Sequence, residues 1–536
     1  MMQAAAFELF GLRFAPADQR RLWLRLACAF IWALELFWLQ KLSFAAVPWV
    51  RFPFFTECFR LYLDVVFALG VVILFRRWIL APLFFASFLW MAVLSAYLDH
   101  FHRPLMPFTV FYGLNEVSSL QPHTLDLLPW GIVTALFVAL GLKTFLLWRS
   151  GELPREGFSR LHFGCMAALL YLLPVNAMQI SHLRLNIRPS AGNIRNVYAY
   201  GYSLPWVCDL VANRSLQAHA RRAESLLGAR YDRISPLEKP LTVPKHLVIL
   251  QLESVDGAAI DARCGDEAVM PFLRSLQRES MWFRIGAFHF NGSCDMDYPT
   301  VTFAEPYPNL VPYRLPGMNY TNSLPAFMKK HGFKSYFYHG NGSMFYERGS
   351  VVEKVGFDGV FFKEQLARRG FHSSIIGFRD ADVLGCVLEQ FTNQTPVCVF
   401  AITLDTHVPF RQLEPSEMKL FPNPDNDAER FLNAANYLDG CLEKFVEQMP
   451  TGTTLVLYGD HTPSLNGAGY KSDVADGKDY VRCLIYEKGA NLAAKQQTRD
   501  STIATNGTLN LLDVLSYVRS SIENREQSRI VSSAVP

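Results

Sequence analysis

Charged side chains are scarce in this sequence, and that scarcity narrows the class of protein before any motif is considered. Only 18% of the 536 residues are charged, while 50% are hydrophobic. Such a balance is unusual for a soluble protein and favours a chain that resides in a membrane. The net charge is only +3, and no basic tract or basic platform interleaved with aromatic residues is present. The sequence therefore argues against nucleic acid as a partner.

Several short signals are also missing. The N-terminus lacks the pattern of a cleavable signal peptide, because Arg20, Arg21 and Arg25 lead directly into a long apolar segment. The 10 cysteines include no CxxC pair, which excludes the usual zinc-knuckle and redox motifs. If the C-terminal half faces an oxidising compartment, some of its cysteines are expected to pair; the alternative is that they are buried free thiols.

About five apolar stretches of membrane-spanning length occupy the first third of the chain. Arginine clusters between them fall on one side, which places the N-terminus in the cytoplasm and the C-terminal half outside. Glu35 and Asp64 lie within or near these stretches, and we interpret them as helix-packing groups rather than functional ones. The predicted spans are Leu26–Leu42, Leu61–Phe75, Trp78–Leu98, Leu127–Trp148 and Leu161–Ile180.

The pattern predicts four regions. Residues 1–183 form a transmembrane domain. Residues 184–245 form a connector. Its first part is rich in arginine and aromatic residues, which suit the membrane interface, and its last part is a linker with several prolines. Residues 246–521 form the catalytic domain, and residues 522–536 a loose tail.

From His246 onward, apolar runs alternate with helical segments, which is typical of an α/β fold with a mostly parallel central sheet. The predicted strands are His246–Leu252, Lys334–Tyr338, Val397–Thr403, Thr453–Tyr458 and Tyr480–Tyr486. The predicted helices are Met270–Ser280, Ala428–Gln448 and Leu509–Val518.

Two of these apolar runs end in metal-ligating residues. The first is followed by Glu253, and the second by Gly459, Asp460 and His461. In an open α/β sheet, ligands collect beyond the carboxyl ends of the strands. Carboxylate oxygens and an imidazole nitrogen suit one divalent ion, zinc or manganese.

A polar turn lies between the two runs, as Asn291 and Gly292 indicate, and the next residue, Ser293, supplies a hydroxyl. A cation that stabilises the alkoxide makes a serine an activated nucleophile. We therefore infer a one-metal site of Glu253, Ser293, Asp460 and His461, in which Ser293 attacks phosphorus.

Each signal has an ordinary alternative. A Gly-Asp-His sequence after a strand is often a plain loop, and Glu253 alone suits the start of a helix. Asn291–Gly292–Ser293 also matches a glycosylation acceptor or a simple turn. Cys294, beside the hydroxyl, is an alternative thiol nucleophile. The chain order of the whole set favours the metal site.

That set resembles the membrane-bound phosphoalcohol transferases of the alkaline-phosphatase and sulfatase-like superfamily, which include lipoteichoic acid synthases and phosphoethanolamine transferases. Two departures are mild: Ser293 stands where threonine is usual, and Tyr346 where tryptophan is common. The resemblance covers most of the chain. The segments that carry it are Leu252–Glu253–Ser254, Gly292 to Tyr298, Phe345–Tyr346–Glu347–Arg348, Thr403 to Phe410, and Tyr458–Gly459–Asp460–His461.

The resemblance implies a two-step reaction. Ser293 takes the phosphoalcohol from a phospholipid and releases diacylglycerol, and an acceptor hydroxyl then takes it from phosphoserine. His407, Arg348, Tyr346 and His339 are the expected headgroup-binding residues, since arginine donates two bonds at once to phosphate. The alternatives are a structural role for His407, a turn role for His339, and pairing of Arg348 with a neighbouring glutamate.

For substrates, we favour phosphoethanolamine transfer to an extracytoplasmic glycan such as lipopolysaccharide, by a monomer in the bacterial inner membrane with its catalytic domain in the periplasm. Phosphoglycerol transfer and phosphodiester hydrolysis are the alternatives. Sulfate-ester hydrolysis is disfavoured, because the residues after Ser293 lack the sulfatase signature. A non-catalytic scaffold is disfavoured by the complete metal set, and a transporter by five spans without paired halves.

Overall fold

The computed structural model describes most of the chain, and every structural statement below refers to that part. It divides the chain into two compact units, one helical and N-terminal, the other containing the sheet. The described residues are 7–9, 12–14, 16–45, 54–101, 129–151, 167–171, 220–224 and 244–533, apart from 309, 372, 375, 393–394, 464, 466–469, 476–477, 491 and 493–508.

Four long helices make up most of the described N-terminal unit. Three of them contain segments long and apolar enough to cross a membrane: Gln19–Leu39, Arg77–Ala96 and Trp130–Ser150. These match the first, third and fourth predicted spans, and the second overlaps a helix that carries Glu57, Arg60 and Asp64. The fifth, Leu161–Ile180, lies almost entirely outside the described residues. The elements are β1 (Phe7–Leu9), β2 (Leu12–Phe14), α1 (Pro16–Ala45), α2 (Phe54–Leu74), α3 (Arg77–Phe101) and α4 (Trp130–Ser150).

Buried charges in this unit connect its helices. Arg25 of α1 donates to the carbonyls of Val72, Phe75 and Gly151 at 3.0, 2.9 and 3.1 Å. These carbonyls lie at the C-terminal ends of α2 and α4, where a helix leaves its last acceptors without an internal partner. Glu35 of α1 pairs with Lys143 of α4 and so links two helices, as a packing role requires.

The C-terminal unit is built on an eight-stranded, mostly parallel sheet. Its order is β11-β12-β10-β3-β9-β7-β8, with β6 also paired to β12. Strands β10, β3, β9, β7 and β8 are mutually parallel. All five predicted strands are confirmed, whereas β6, β8 and the short β11 of this sheet were missed. The bounds are β3 (His246–Leu252), β6 (Met281–Gly286), β7 (Lys334–His339), β8 (Gly359–Phe361), β9 (Val397–Ile402), β10 (Thr453–Gly459), β11 (Val474–Ala475) and β12 (Lys478–Glu487), beside a small hairpin of β4 (Arg263–Cys264) and β5 (Glu267–Ala268).

Helices cover both faces of this sheet. Alternate residues of β3 enter two separate cores, since Leu247 and Ile249 pack on one face and Val248 and Leu250 on the other. That two-sided burial explains why the strand is apolar throughout. The helices are α5 (Gly257–Asp261), α6 (Pro271–Glu279), α7 (Cys294–Thr302), α8 (Leu324–Lys330), α9 (Arg348–Val352), α10 (Lys363–Leu366), α11 (Asp380–Leu388), α12 (Asp427–Gln448) and α13 (Leu511–Ser533).

The end of the chain differs from the expected loose tail. Helix α13 continues to Ser533, so most of residues 522–536 is helical. Ile522 is 1% exposed and belongs to the core on one face of the sheet, which anchors the helix beyond the predicted end at Val518. The other domain boundaries, at 183/184 and 245/246, stay predictions.

The cysteines of the C-terminal unit support the free-thiol alternative. Five of them are free thiols, and three of these five, Cys386, Cys398 and Cys483, are buried. Cys208 lies outside the described residues. The five free thiols are Cys264, Cys386, Cys398, Cys441 and Cys483.

Candidate active site

The register of two neighbouring parallel strands brings the predicted carboxylates together. Leu252 of β3 lies opposite Gly459 of β10, so Glu253 and Asp460 leave the same edge of the sheet side by side. The backbone N–H of Ser254 donates to Oδ1 of Asp460 at 2.7 Å. A Cβ on Gly459 would lie 1.7 Å from the carbonyl oxygen of Val255. Glycine is therefore required for the two chain segments to approach this closely.

Glu253, Asp460 and His461 form a compact, buried donor cluster. One ligand atom from each lies within 4.8 Å of the others. Nε2 of His461 is 3.4 Å from Oε1 of Glu253 and 3.7 Å from Oδ2 of Asp460. All three residues are buried. The three residues predicted to accompany the serine as metal ligands thus converge.

Ser293 joins the same cluster. Its Oγ lies 3.2 Å from Nε2 of His461. The side-chain amide of Gln251 donates to the Ser293 carbonyl at 3.3 Å and to Oδ2 of Asp460 at 3.4 Å. Gln251 lies on β3, so the sheet itself fixes the serine relative to the carboxylates.

The turn before Ser293 is held from both sides. The carboxylate of Asp295 accepts the backbone N–H groups of Phe290 and Asn291. Gly292 has φ +125°, and a Cβ there would lie 2.1 Å from the hydroxyl oxygen of Tyr346. Both the left-handed backbone and the close approach of the tyrosine require glycine.

The donor set fits one divalent cation. Nδ1 of His461 lies 2.8 Å from the carbonyl oxygen of Thr462, which keeps a proton on Nδ1 and makes Nε2 the nitrogen that would ligate a cation after losing its own proton. Two carboxylates, one imidazole and one hydroxyl are ligands that zinc and manganese accept. The opposite tautomer would present a proton to the cluster.

Charge coupling within the cluster is strong. Burial alone would raise the pKa of Glu253, but His407 and His461 hold that pKa well below its ordinary value. Burial, with the adjacent Glu253 carboxylate, raises the pKa of Asp460 to about 8. Burial lowers the pKa of His461, but Asp460 and Glu253 overcome it and raise that pKa to about 10. The metal-free cluster therefore holds protons that a cation would displace.

Arg348 and His339 are brought together in a second, buried cluster. Arg348 forms an ion pair with Asp297, whose carboxylate raises the pKa of Arg348 against the effect of burial. Nη1 of Arg348 lies 3.3 Å from Nε2 of His339. Burial and the guanidinium lower the pKa of His339 to about 3, so its ring is neutral. Arg348 thus pairs with neither of the neighbouring glutamates considered from the sequence.

Tyr346 and His407 lie between the two clusters. Besides approaching Gly292, the Tyr346 ring lies 5.0 Å from the Arg348 guanidinium carbon. Tyr346 has φ +56°, and such backbone strain concentrates at functional sites. His407 is near enough to lower the pKa of Glu253. The roles of these two residues, and of Arg348 and His339, in headgroup binding stay predictions.

Besides Gln251 and Asp295, four further residues at the site were not assigned from the sequence. His289 stacks on His461 with ring centroids 4.2 Å apart and planes 7° apart, and it bonds Asp479. Thr406 donates to the Glu253 carbonyl at 2.5 Å. Asp297 neutralises Arg348. Thr406 and Asp297 lie inside the motif segments, whereas no sequence signal points to His289 or to Asp479.

The comparisons with known proteins agree with this geometry. The sulfatase family model matches residues 245–514, which is half of the chain and includes every site residue named above. The chain belongs to the sulfatase family, within the alkaline phosphatase superfamily.

Among individual proteins, the chain is similar to lipoteichoic acid synthase 1 of Bacillus subtilis, with 25% identity over 230 residues, 40% of this chain and 36% of that protein. It is similar to the lipoteichoic acid synthase of Staphylococcus aureus to the same extent, over 231 residues. The match thus spans only about a third of the length of these relatives.

One solved structure is similar over nearly the whole chain. It is the integral membrane lipooligosaccharide phosphoethanolamine transferase A of Neisseria meningitidis, with a TM-score of 0.56, 14% identity, and coverage of 92% of this chain and 95% of that one. At this identity the similarity establishes the fold: an N-terminal set of apolar helices followed by an α/β domain.

Proposed function

We propose that this protein is a metal-dependent phosphoalcohol transferase that moves the headgroup of a membrane phospholipid to an extracytoplasmic glycan through a phosphoserine at Ser293. One observation carries the proposal. The Ser293 hydroxyl lies 3.2 Å from the same imidazole nitrogen that faces Glu253 and Asp460. A hydroxyl inside a buried cluster of metal-ligating atoms is suited to nucleophilic attack.

Glu253, Asp460, His461 and Ser293 would hold the cation. When bound, a divalent zinc or manganese ion stabilises negative charge on the attacking and phosphoryl oxygens. Gln251 orients the Ser293 backbone and one carboxylate, and Thr406 fixes the backbone of Glu253. The protein thereby keeps the nucleophile in place before substrate arrives.

In the first step, the Ser293 oxygen bonds to phosphorus and the bond to the diacylglycerol oxygen breaks. Overall, the serine proton ends on the released diacylglycerol. In the second step, an acceptor hydroxyl takes the phosphoalcohol and restores the serine. Arg348, His339, Tyr346 and His407 surround the headgroup and the free phosphoryl oxygens, where donors stabilise the developing charge.

Two headgroups are candidates. The cysteines of the C-terminal half favour phosphoethanolamine in the sequence, because transferases of that headgroup often carry disulfides. In the structure, however, Cys264, Cys386, Cys398, Cys441 and Cys483 form no disulfide. The sequence relatives named above are lipoteichoic acid synthases. These two observations favour phosphoglycerol as the first headgroup to test, with phosphoethanolamine as the alternative. The acceptor class is a surface glycan, and lipopolysaccharide is one example.

The cellular setting belongs to the same proposal. Helices long enough to cross a membrane precede the α/β domain, and arginine clusters predict that this domain faces outward. We place the protein in the inner membrane of a bacterium as a monomer with a periplasmic catalytic domain. Membrane attachment holds the site near a donor that never leaves the bilayer.

The test is a transfer assay with the full chain in lipid nanodiscs. Phosphatidylglycerol and phosphatidylethanolamine, each labelled in the headgroup, are supplied in turn with a surface-glycan extract and Zn²⁺ or Mn²⁺. Label in the glycan supports transfer, and the active lipid identifies the headgroup. Label released only as free phosphoalcohol would instead support a phosphodiesterase.

Ser293 has a matched control within the chain. Asn341–Gly342–Ser343 repeats the tripeptide Asn291–Gly292–Ser293, and Ser343 bonds Glu364 rather than the metal cluster. S293A is expected to abolish transfer, and S343A to retain it. Full transfer by S293A would overturn the proposed nucleophile.

A further inference from the structure

The C-terminal unit exposes very few large apolar side chains. Among its described residues, three such side chains are strongly exposed: Phe290 at 45%, Met344 at 54% and Val474 at 43%. Single exposed apolar residues scattered over a surface need no explanation, whereas a group in one place marks an interaction site. The question is where these three lie.

All three are close to the candidate active site. Phe290 directly follows His289, which stacks on His461, and its backbone N–H is held by Asp295 in the turn before Ser293. The carbonyl of Met344 accepts the backbone N–H of Glu347 at 2.9 Å. This short helical turn carries Tyr346, whose hydroxyl approaches Gly292.

Val474 approaches from a third segment. In the β11–β12 ladder it lies opposite Asp479. The carboxylate of Asp479 bonds Nδ1 of His289. Three separate segments therefore each carry one exposed apolar side chain and connect to the site, directly or through Asp479 and His289. We name Phe290, Met344 and Val474 the apolar rim.

We propose that the apolar rim enters a lipid surface and receives the apolar part of the phospholipid donor. This inference rests on the proposed function and extends it. A phospholipid presents its phosphate only a few bonds from its acyl chains, so a site that reaches the phosphorus also meets apolar surface. Apolar side chains around the entrance would be buried at that moment, which is favourable.

The chemistry of the chain favours lipid over a protein partner. The same chain carries three helices long and apolar enough to cross a membrane, so a lipid surface is a partner that this chain meets in any case. The rim residues are aromatic, thioether and branched aliphatic, and they come from three separate segments of the chain. That arrangement suits shallow insertion into a membrane interface.

The first test compares two donors with the full chain in nanodiscs. One is the long-chain phospholipid that the wild type uses, and the other is its deacylated, water-soluble glycerophosphodiester. The three changes F290S, M344S and V474S each remove one rim side chain. For F290S, kcat/KM with the long-chain donor is expected to fall roughly tenfold, as burial of an aromatic side chain implies. This loss is expected to be at least fivefold larger than the loss of kcat/KM with the deacylated donor.

K444S is the matched control. Lys444 is exposed near the end of α12, which precedes the start of β10 and so lies toward the opposite edge of the sheet. It is expected to leave both rates as in wild type. The proposed role of the apolar rim would be contradicted if kcat/KM fell equally for both donors in all three rim variants, or if it did not fall with the long-chain donor.

A second measurement tests whether the apolar rim enters lipid and does not require transferase activity. F290W and K444W each add one tryptophan, and bilayers containing lipids brominated in the acyl chains quench only tryptophans that enter the apolar region. Quenching in excess of wild type is expected for F290W and not for K444W. Absence of excess quenching for F290W would contradict insertion of the rim into lipid, even if the protein catalyses transfer. Quenching without any transfer would retain the rim and reject the proposed function.

Discussion

The hydroxyl oxygen of Ser293 lies 3.2 Å from Nε2 of His461, although 168 residues separate them in the chain. The parallel pairing of β3 with β10 sets one side of this contact, and the turn held by Asp295 sets the other. Several expected outcomes follow from that arrangement.

Metal binding is expected to release protons. The pKa of Asp460 is raised to about 8 and that of His461 to about 10, so both are protonated at pH 7 without metal. A cation needs the carboxylate and the free imidazole nitrogen. Binding therefore releases one to two protons, and the apparent affinity rises about ten- to hundredfold per pH unit below pH 8.

Calorimetric titration with Zn²⁺ in two buffers of different ionisation enthalpy measures this release. E253Q is expected to weaken binding, because it replaces an anionic ligand by a neutral amide. Glu443 lies exposed on α12, and E443Q is the control that should bind as wild type does. Equal binding heats in both buffers would contradict the protonation described here.

Gly292 is expected to tolerate no side chain. In G292A the left-handed φ costs about 1–2 kcal/mol, and the new Cβ meets the Tyr346 hydroxyl. The nucleophile turn must move, and kcat for transfer should fall at least tenfold. Y346F in the G292A background removes the atom in closest contact and should restore part of the rate.

Gly265 provides the comparison. It also has positive φ, at +58°, but has nothing within 4 Å of an added Cβ. G265A should lower thermal stability while leaving kcat within about twofold. A loss of kcat in G265A as large as that in G292A would indicate general destabilisation instead of a displaced nucleophile.

Asp380 is expected to position the His407 segment. Its carboxylate accepts the backbone N–H groups of Leu404 and Asp405 at 2.7 and 3.0 Å, and the Asp405 carboxylate accepts the N–H of Asp380 at 3.1 Å. The chain continues into Thr406, which bonds Glu253. D380A should therefore raise KM for the donor. In an H407A background, the same change should raise KM little further.

Asp439 is the matched structural control. It too is buried and accepts two backbone N–H groups, those of Phe272 and Leu273, at 2.7 and 2.9 Å. Each alanine leaves two buried donors without an acceptor, which costs about 1–3 kcal/mol per group, so both variants should melt lower. Only D380A should change KM for the donor. The same change of KM in D439A would contradict the role of Asp380 in positioning the His407 segment.

The sheet and the convergence of Glu253, Asp460 and His461 were predictable because their signals are local. Strands β3 and β10 are buried on both faces, so each is an uninterrupted apolar run, and the ligand residues come directly after them. Strand β8 was missed because it has only three half-buried residues. Strand β6 was missed because its alternation is short and contains Arg284.

Long-range pairing was not predictable from these local patterns. Arg348 has glutamates nearby in the sequence, yet it pairs with Asp297, 51 residues away. The stacking of His289 on His461 depends on the position of β12, which carries Asp479. Likewise, the number of cysteines carries no information on the distances between them, and Cys264, Cys386, Cys398, Cys441 and Cys483 are free thiols.

The most direct measurement is the mass of the peptide that contains Ser293, after the metal-loaded full chain is incubated with phospholipid donor and no acceptor. The account predicts an added phosphoalcohol on Ser293 that disappears when glycan acceptor is supplied. An unmodified Ser293 during active transfer, or the phosphoalcohol on Cys294 or another residue, would contradict it.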